Sequence, residues 1–140
     1  MEHEMRNVVL LLLVVFVFAL SACGSPLQSL SGEYKLVSYG DPSNLTLAAP
    51  DVDTSIVFDP DGKIGGSVGC NSFGGDYKIA KGKLEFGPIM STLMACEEPR
   101  MTQESSVFAV LNGTVDFKLD GSVLTITSAD GTMQIVLEKK

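Results

Sequence analysis

The residues of this 140-residue chain that could do chemistry are three cysteines, one histidine and a scatter of carboxylates. The histidine is His3, and no other imidazole stands in the chain to complete a Ser-His-Asp or Cys-His arrangement or a histidine metal site further on. Glycoside hydrolysis needs two positioned carboxylates, for which Glu85, Glu97, Glu98 and Glu104 are available. With no tryptophan and three tyrosines, however, a sugar-stacking cleft is hard to furnish. Asp59-Pro60-Asp61-Gly62 opens like a calcium loop, but an EF-hand wants glycine sixth and glutamate twelfth, whereas Gly62 is fourth and position 70 is cysteine. A hairpin turn is expected there, and a looser cation site of Asp51, Asp53, Asp59 and Asp61 has no further support. Gly65-Gly66, Gly69 and Gly74-Gly75 lack the lysine and Ser/Thr of a phosphate loop, and no helix opens after them. Glycines inside strands instead mark bends or close backbone approach. No cofactor and no metal are expected.

Where this chemistry would take place is set by the N-terminus. Val8 to Leu20 is an unbroken apolar run preceded by Arg6 and followed by small residues. It is shorter than the roughly 20 residues a bilayer span needs, and it has signal-peptide dimensions. Leu20-Ser21-Ala22-Cys23-Gly24 follows, and it resembles the lipobox of bacterial lipoproteins. The resemblance implies cleavage after Ala22 and lipidation of Cys23, so that residues 1–22 are a signal, 23–31 a lipidated tether with Pro26 and three serines, and 32–140 the domain. Two or three acyl chains, at roughly 0.8 kcal/mol per buried methylene, hold a protein on a membrane. With glycine rather than aspartate after the cysteine, the outer membrane is favoured if the cell has two.

Lipidation of Cys23 leaves one possible pair, Cys70 with Cys96, in surroundings that favour oxidation. Closing that loop would stabilise the fold by about 3.5 kcal/mol. A catalytic cysteine would need a base, and a metal site more ligands. Removing Glu2, Glu4 and Arg6 takes 10 basic and 17 acidic residues to 9 and 15, an excess of about six negative charges. Nucleic acid is thereby disfavoured as a partner, and anionic headgroups would repel the domain, so acyl chains must provide the membrane contact.

From Glu33 onward, short strand-like runs alternate with turns. The pattern predicts strands at Glu33–Tyr39, Thr54–Phe58, Lys63–Cys70, Asp76–Ala80, Lys83–Phe86, Val115–Leu119, Val123–Thr127 and Met133–Leu137. Asp120-Gly121 and Asp130-Gly131 supply hairpin turns. Connections this short require antiparallel pairing. Roughly from Glu98 to Asn112, Met101, Glu104, Val107, Phe108 and Leu111 recur at helical spacing, with Asn112-Gly113 as the stop. One helix cannot cover eight strands. A mainly β fold is expected, a small antiparallel barrel-like or folded-over sheet of about eight strands with one α-helix after the second cysteine motif.

Three blocks in order, Gly69-Cys70-Asn71-Ser72-Phe73-Gly74-Gly75-Asp76-Tyr77, Thr92-Leu93-Met94-Ala95-Cys96 and Met101-Thr102-Gln103-Glu104, resemble the META (HslJ-like) domain family over about Leu30 to Glu138. The resemblance implies a small antiparallel β fold with one helix after the second block, an envelope lipoprotein or stress-associated setting, and no established enzymatic activity. Carried over, Asn71, Thr92 and Glu104 are family polar residues that could form a site, and a structural role near tight turns is the expectation.

The resulting expectation is a lipid-anchored, non-enzymatic cell-envelope protein, a stress-related binding or interaction module. Its partners would be the membrane, through the anchor, and another envelope protein. A small-molecule or peptide-binding lipoprotein linked to resistance to toxic compounds is the alternative, and a carboxylate hydrolase ranks last.

Overall fold

The computed structural model describes residues Ser29–Lys140. The signal segment 1–22, Cys23 and the tether up to residue 28 lie outside the described residues. Ten strands and one helix follow in order: β1 Gly32–Asp41, β2 Asn44–Leu47, β3 Ser55–Phe58, β4 Lys63–Ser67, β5 Ser72–Ala80, β6 Lys83–Phe86, β7 Met90–Ser91, α1 Arg100–Val110, β8 Gly113–Asp120, β9 Val123–Thr127 and β10 Gln134–Lys139. Among the described residues no helix is long and apolar enough to cross a membrane.

Eight strands, in the order β1-β3-β4-β5-β6-β8-β9-β10, pair with their neighbours and close through β10 on β1. Each pairing is antiparallel. Closure removes the free edges that eight strands of this length would otherwise expose. The expected barrel is therefore present, with β2 and β7 as short additions to β1 and β5.

Alternation directs one face of each strand inward, where Tyr34, Phe58, Leu84, Leu124, Ile126, Ile135 and Leu137 are almost fully buried. Tyr34 meets Phe58, and Phe58 meets Tyr77, edge to face, which fills the barrel floor. Leu30, in the last residues assigned to the tether, is buried in the same core. Strand β1 carries a bulge between Leu36 and Ser38, so Ser38 and Tyr39 are both buried. Leu36 falls between the stretches paired to β3 and β2, and its amide finds the Thr54 hydroxyl at 2.8 Å.

Two strand boundaries differ from the sequence expectation by three residues or more. Strand β4 stops at Ser67 rather than Cys70, and β5 starts at Ser72 rather than Asp76. The glycine-rich stretch is strand on both sides of the 68–71 connection, with Gly65 opposite Gly74 in register. Gly66 shows why side chains are missing there: its φ is +145°, and a Cβ would stand 1.9 Å from the Ser55 carbonyl oxygen. The turn at Asp59–Gly62 is the expected hairpin, in which Gly62 N–H donates to Asp59 O at 3.1 Å and Asp61 N–H to the Asp59 carboxylate at 2.8 Å.

Helix α1 buries Gln103, Glu104, Val107 and Val110, with Leu111 just beyond its end. The buried stripe is thus rotated from the expected one, and Met101 and Phe108 lie half-exposed at its margin. The Glu98 carboxylate accepts the Thr102 amide at 3.0 Å, meeting one of the open donors of the first turn. Gly113, at φ +67°, lets the chain leave the helix for β8.

Candidate functional site

Because successive barrel strands alternate in direction, the β4–β5 connection (68–71) and the long β6–β8 connection (87–112) emerge at the same end of the barrel. That end is opposite the one where the chain enters β1. Helix α1 lies there, and the three polar residues carried over from the family motif meet beneath it.

Glu104 projects from the buried face of α1. Its Oε2 accepts the amides of Cys70 at 2.9 Å and Asn71 at 2.6 Å, and its Oε1 accepts Asn71 Nδ2 at 2.6 Å. Asn71 Nδ2 donates its second hydrogen to Met94 O at 3.2 Å. Asn71 Oδ1 accepts from the Thr92 hydroxyl at 2.8 Å and the Met94 amide at 2.7 Å. Both donors and both acceptor positions of the amide are therefore in use. A carboxylate fits here because every group facing it is an N–H donor, two of them from the backbone. Gly69 permits the approach, since a Cβ there would lie 2.5 Å from Arg100 O and 2.9 Å from Glu104 Cβ.

Cys70 and Cys96 are disulfide-bonded, with Cα atoms 5.9 Å apart. The bond ties the same loop to the same segment that Asn71 holds, so covalent and hydrogen-bonded links coincide. Asn71, Thr92, Glu104, Cys70 and Cys96 are all brought together, while Cys23 lies outside the described residues.

Gln103 was missed as a participant although it lies within the third sequence block. It is fully buried; its Oε1 accepts the Ala49 amide at 2.8 Å and its Nε2 donates to Val68 O at 2.5 Å. It clamps the 48–54 loop and the end of β4 to the helix. An amide reads as polar in a hydropathy pattern, and only its place one turn before Val107 could have put it on the inner face.

The other chemical candidates do not converge. Glu85 pairs with Lys78 at 2.8 Å beside β5, Glu97 and Glu98 are exposed ahead of α1, and Glu104 lies within the network just described. The carboxylates proposed for hydrolysis are thus spread over three clefts, only Glu97 and Glu98 sharing one. Asp51 pairs with Arg100 at 3.5 Å and Asp53 with Lys140 at 3.7 Å, away from the Asp59–Asp61 turn. Among the described residues no three His, Cys, Asp or Glu side chains are grouped closely enough to hold a metal ion. Only the Tyr34 hydroxyl is a buried side-chain polar atom without a partner among them, and burial pushes its pKa above the usual phenol value.

What the site does leave open is apolar. Leu93 is 95% exposed, Met90 76% and Met94 57%. Leu93, Met94, Met101 and Phe108 line a shallow cleft of about 320 Å³ between the 91–95 segment and α1, with Asn71 and Glu104 at its base.

Fold and site together define a class: small closed antiparallel barrels in which a helix is locked across one end by a carboxylate–amide network. The META domain family model matches residues 26–140, and the chain belongs to the META domain family. No curated protein matches it. Among solved structures it is similar to a Burkholderia xenovorans protein determined by NMR, with a TM-score of 0.65 at 18% identity over 79% of this chain and 82% of that one. It is also similar to a second protein determined by NMR, with a TM-score of 0.59 at 20% identity over 77% and 88%. A DUF4847 family protein from Bacteroides vulgatus ATCC 8482 gives a TM-score of 0.56 at 14% identity over 79% and 93%. At these identities the likeness concerns the fold alone.

Proposed function

We propose that this protein is a lipid-anchored component of the bacterial envelope, attached through Cys23, and that its barrel acts as a non-enzymatic interaction module. The attachment reading rests on the apolar run Val8–Leu20 and on Leu20-Ser21-Ala22-Cys23-Gly24. The observation that carries the interaction reading is the apolar display of Leu93 and Met94 beside a polar network that has no unused group. Large side chains that contribute nothing to the barrel core, held on a segment fastened by a disulfide and by Asn71, form a rigid contact surface.

A stress-related role is the setting proposed for this module. A small-molecule reading would draw on the same cleft, since among the described residues the barrel interior is occupied by the side chains of its own core.

Two measurements test the proposal. Mass spectrometry of the N-terminal peptide should find Cys23 diacylated, and Cys23→Ser should release the protein from membranes. A photo-crosslinking residue at position 93 in intact cells should capture a discrete polypeptide, while one at Val123, on the opposite end of the barrel, should not. An unmodified, uncleaved N-terminus would refute the anchor, and equal crosslinking at 93 and 123 would refute the interaction surface.

A further inference from the structure

The apolar cleft adjoins a second, acidic one. Ala95 is common to both, and on its other side Asp51, Glu97, Glu98 and Arg100 line an open depression of about 470 Å³. Arg100, the cation there, is paired with Asp51. Glu97 is exposed, and its carboxylate has no partner among the described residues. The surface therefore offers an apolar seat and, next to it, unbalanced negative charge on a chain that is already net acidic.

Building on the interaction-module reading, we propose that these adjoining clefts receive a cationic amphipathic polypeptide segment, its apolar side chains against Leu93, Met94 and Met101 and its lysines or arginines against Glu97 and Glu98. Three arguments select this occupant. Charge complementarity excludes an acidic partner and a second copy of this chain, because two such surfaces would set like charges face to face. Area also excludes the second copy, since a handful of side chains falls well short of the roughly 800 Å² per partner of a stable dimer. Methionine, the most pliable apolar side chain, suits a surface that accepts segments of varied shape, and Met90, Met94 and Met101 are all at this end of the barrel.

Anchor geometry disfavours the bilayer itself as the occupant. The clefts lie at the end opposite the start of β1, and with Leu30 packed in the core the chain from Cys23 to Ser29 reaches at most about 20 Å. Tilted strands of the length of β8 rise about 20 Å, and a helix laid across them adds about 10 Å. To press the clefts onto its own membrane, the domain would have to invert on a fully stretched tether. The clefts are thus held facing the aqueous compartment.

The test uses the full-length protein in phosphatidylcholine nanodiscs, titrated with a labelled amphipathic leucine–lysine peptide and with its leucine–glutamate counterpart. The lysine peptide should bind and the glutamate peptide should not. Leu93→Ser combined with Met94→Ser, both exposed and so harmless to folding, should weaken binding about tenfold. Glu97→Lys should weaken it about threefold, and Val123→Ser should change nothing. Equal binding of the two peptides, or a lysine-peptide affinity indifferent to the Leu93/Met94 pair, overturns the proposal. Binding of the Cys23→Ser protein to phosphatidylglycerol vesicles through Leu93 and Met94 also overturns it, in favour of a lipid surface. A polypeptide crosslinked at 93 without any binding of the lysine peptide would overturn this partner chemistry and leave the interaction module standing.

Discussion

Replacing Asn71 with alanine removes four hydrogen bonds at once, and the structure sets what each is worth. The bond to Glu104 joins two buried groups, one of them a carboxylate, and contributes about 1.5–3 kcal/mol. The three bonds to Thr92 and to the backbone of Met94 lie in an exposed segment where water can substitute, so each contributes only about 0.5 kcal/mol. A total of about 3–4.5 kcal/mol follows, which for a domain of this size lowers the melting temperature by roughly 12–18 °C. Circular dichroism melts of the oxidised protein measure this directly. Asn71→Asp should be worse at neutral pH, because it turns a second carboxylate toward Glu104, and should recover part of the loss on acidification. A melt within about 3 °C of the unchanged protein, together with lost crosslinking at position 93, would refute the structural assignment and make Asn71 a contact residue.

Three further outcomes are expected. Gly66→Ala should cost more than about 3 kcal/mol, because both its φ of +145° and the Ser55 oxygen exclude a methyl group, whereas Gly82→Ala, at φ +74° with no atom within 4 Å, should cost about 1 kcal/mol; urea unfolding compares the two. Tyr34→Phe should leave stability unchanged or raise it by up to about 1 kcal/mol, since the hydroxyl it removes is buried without a partner, and the same unfolding assay checks it. The Asp130 carboxylate, which accepts the Thr132 amide and the Ser128 and Thr132 hydroxyls, is held down to about 2 from its ordinary 3.8. Its contribution is therefore complete above about pH 4 and is lost as pH falls through about 2, so Asp130→Asn should flatten the melting-temperature profile across that interval.

The barrel was legible because its strands alternate and its turns carry Asp-Gly pairs: Asp120-Gly121 and Asp130-Gly131 mark the β8–β9 and β9–β10 turns. β2 and β7 were not. Asn44–Leu47 and Met90–Ser91 are too short and too exposed to show a period, and they are strands only because β1 and β5 present free backbone groups to them. Glycine-rich β4 and the start of β5 were mistaken in extent for a related reason. Residues without side chains leave no pattern, and their strand character comes from the register Gly65↔Gly74. Among the site residues, Asn71, Thr92 and Glu104 could be named from sequence blocks, but their convergence depends on Gly69 letting the helix close over the loop. Gln103 was invisible because burial of an amide is decided by tertiary partners, here Ala49 and Val68.

Closure of the barrel by its first and last strands has a consequence for biogenesis. Tyr34 is opposite Lys139 and Gly40 opposite Gln134, about a hundred residues away, so the ring cannot shut until the final segment has been delivered. A chain synthesised amino end first must wait with β1 unzipped on that flank, vulnerable to proteases and to stray pairing. Removing residues 134–140 would make that vulnerability permanent, because β10 is the strand on which the closed ring depends.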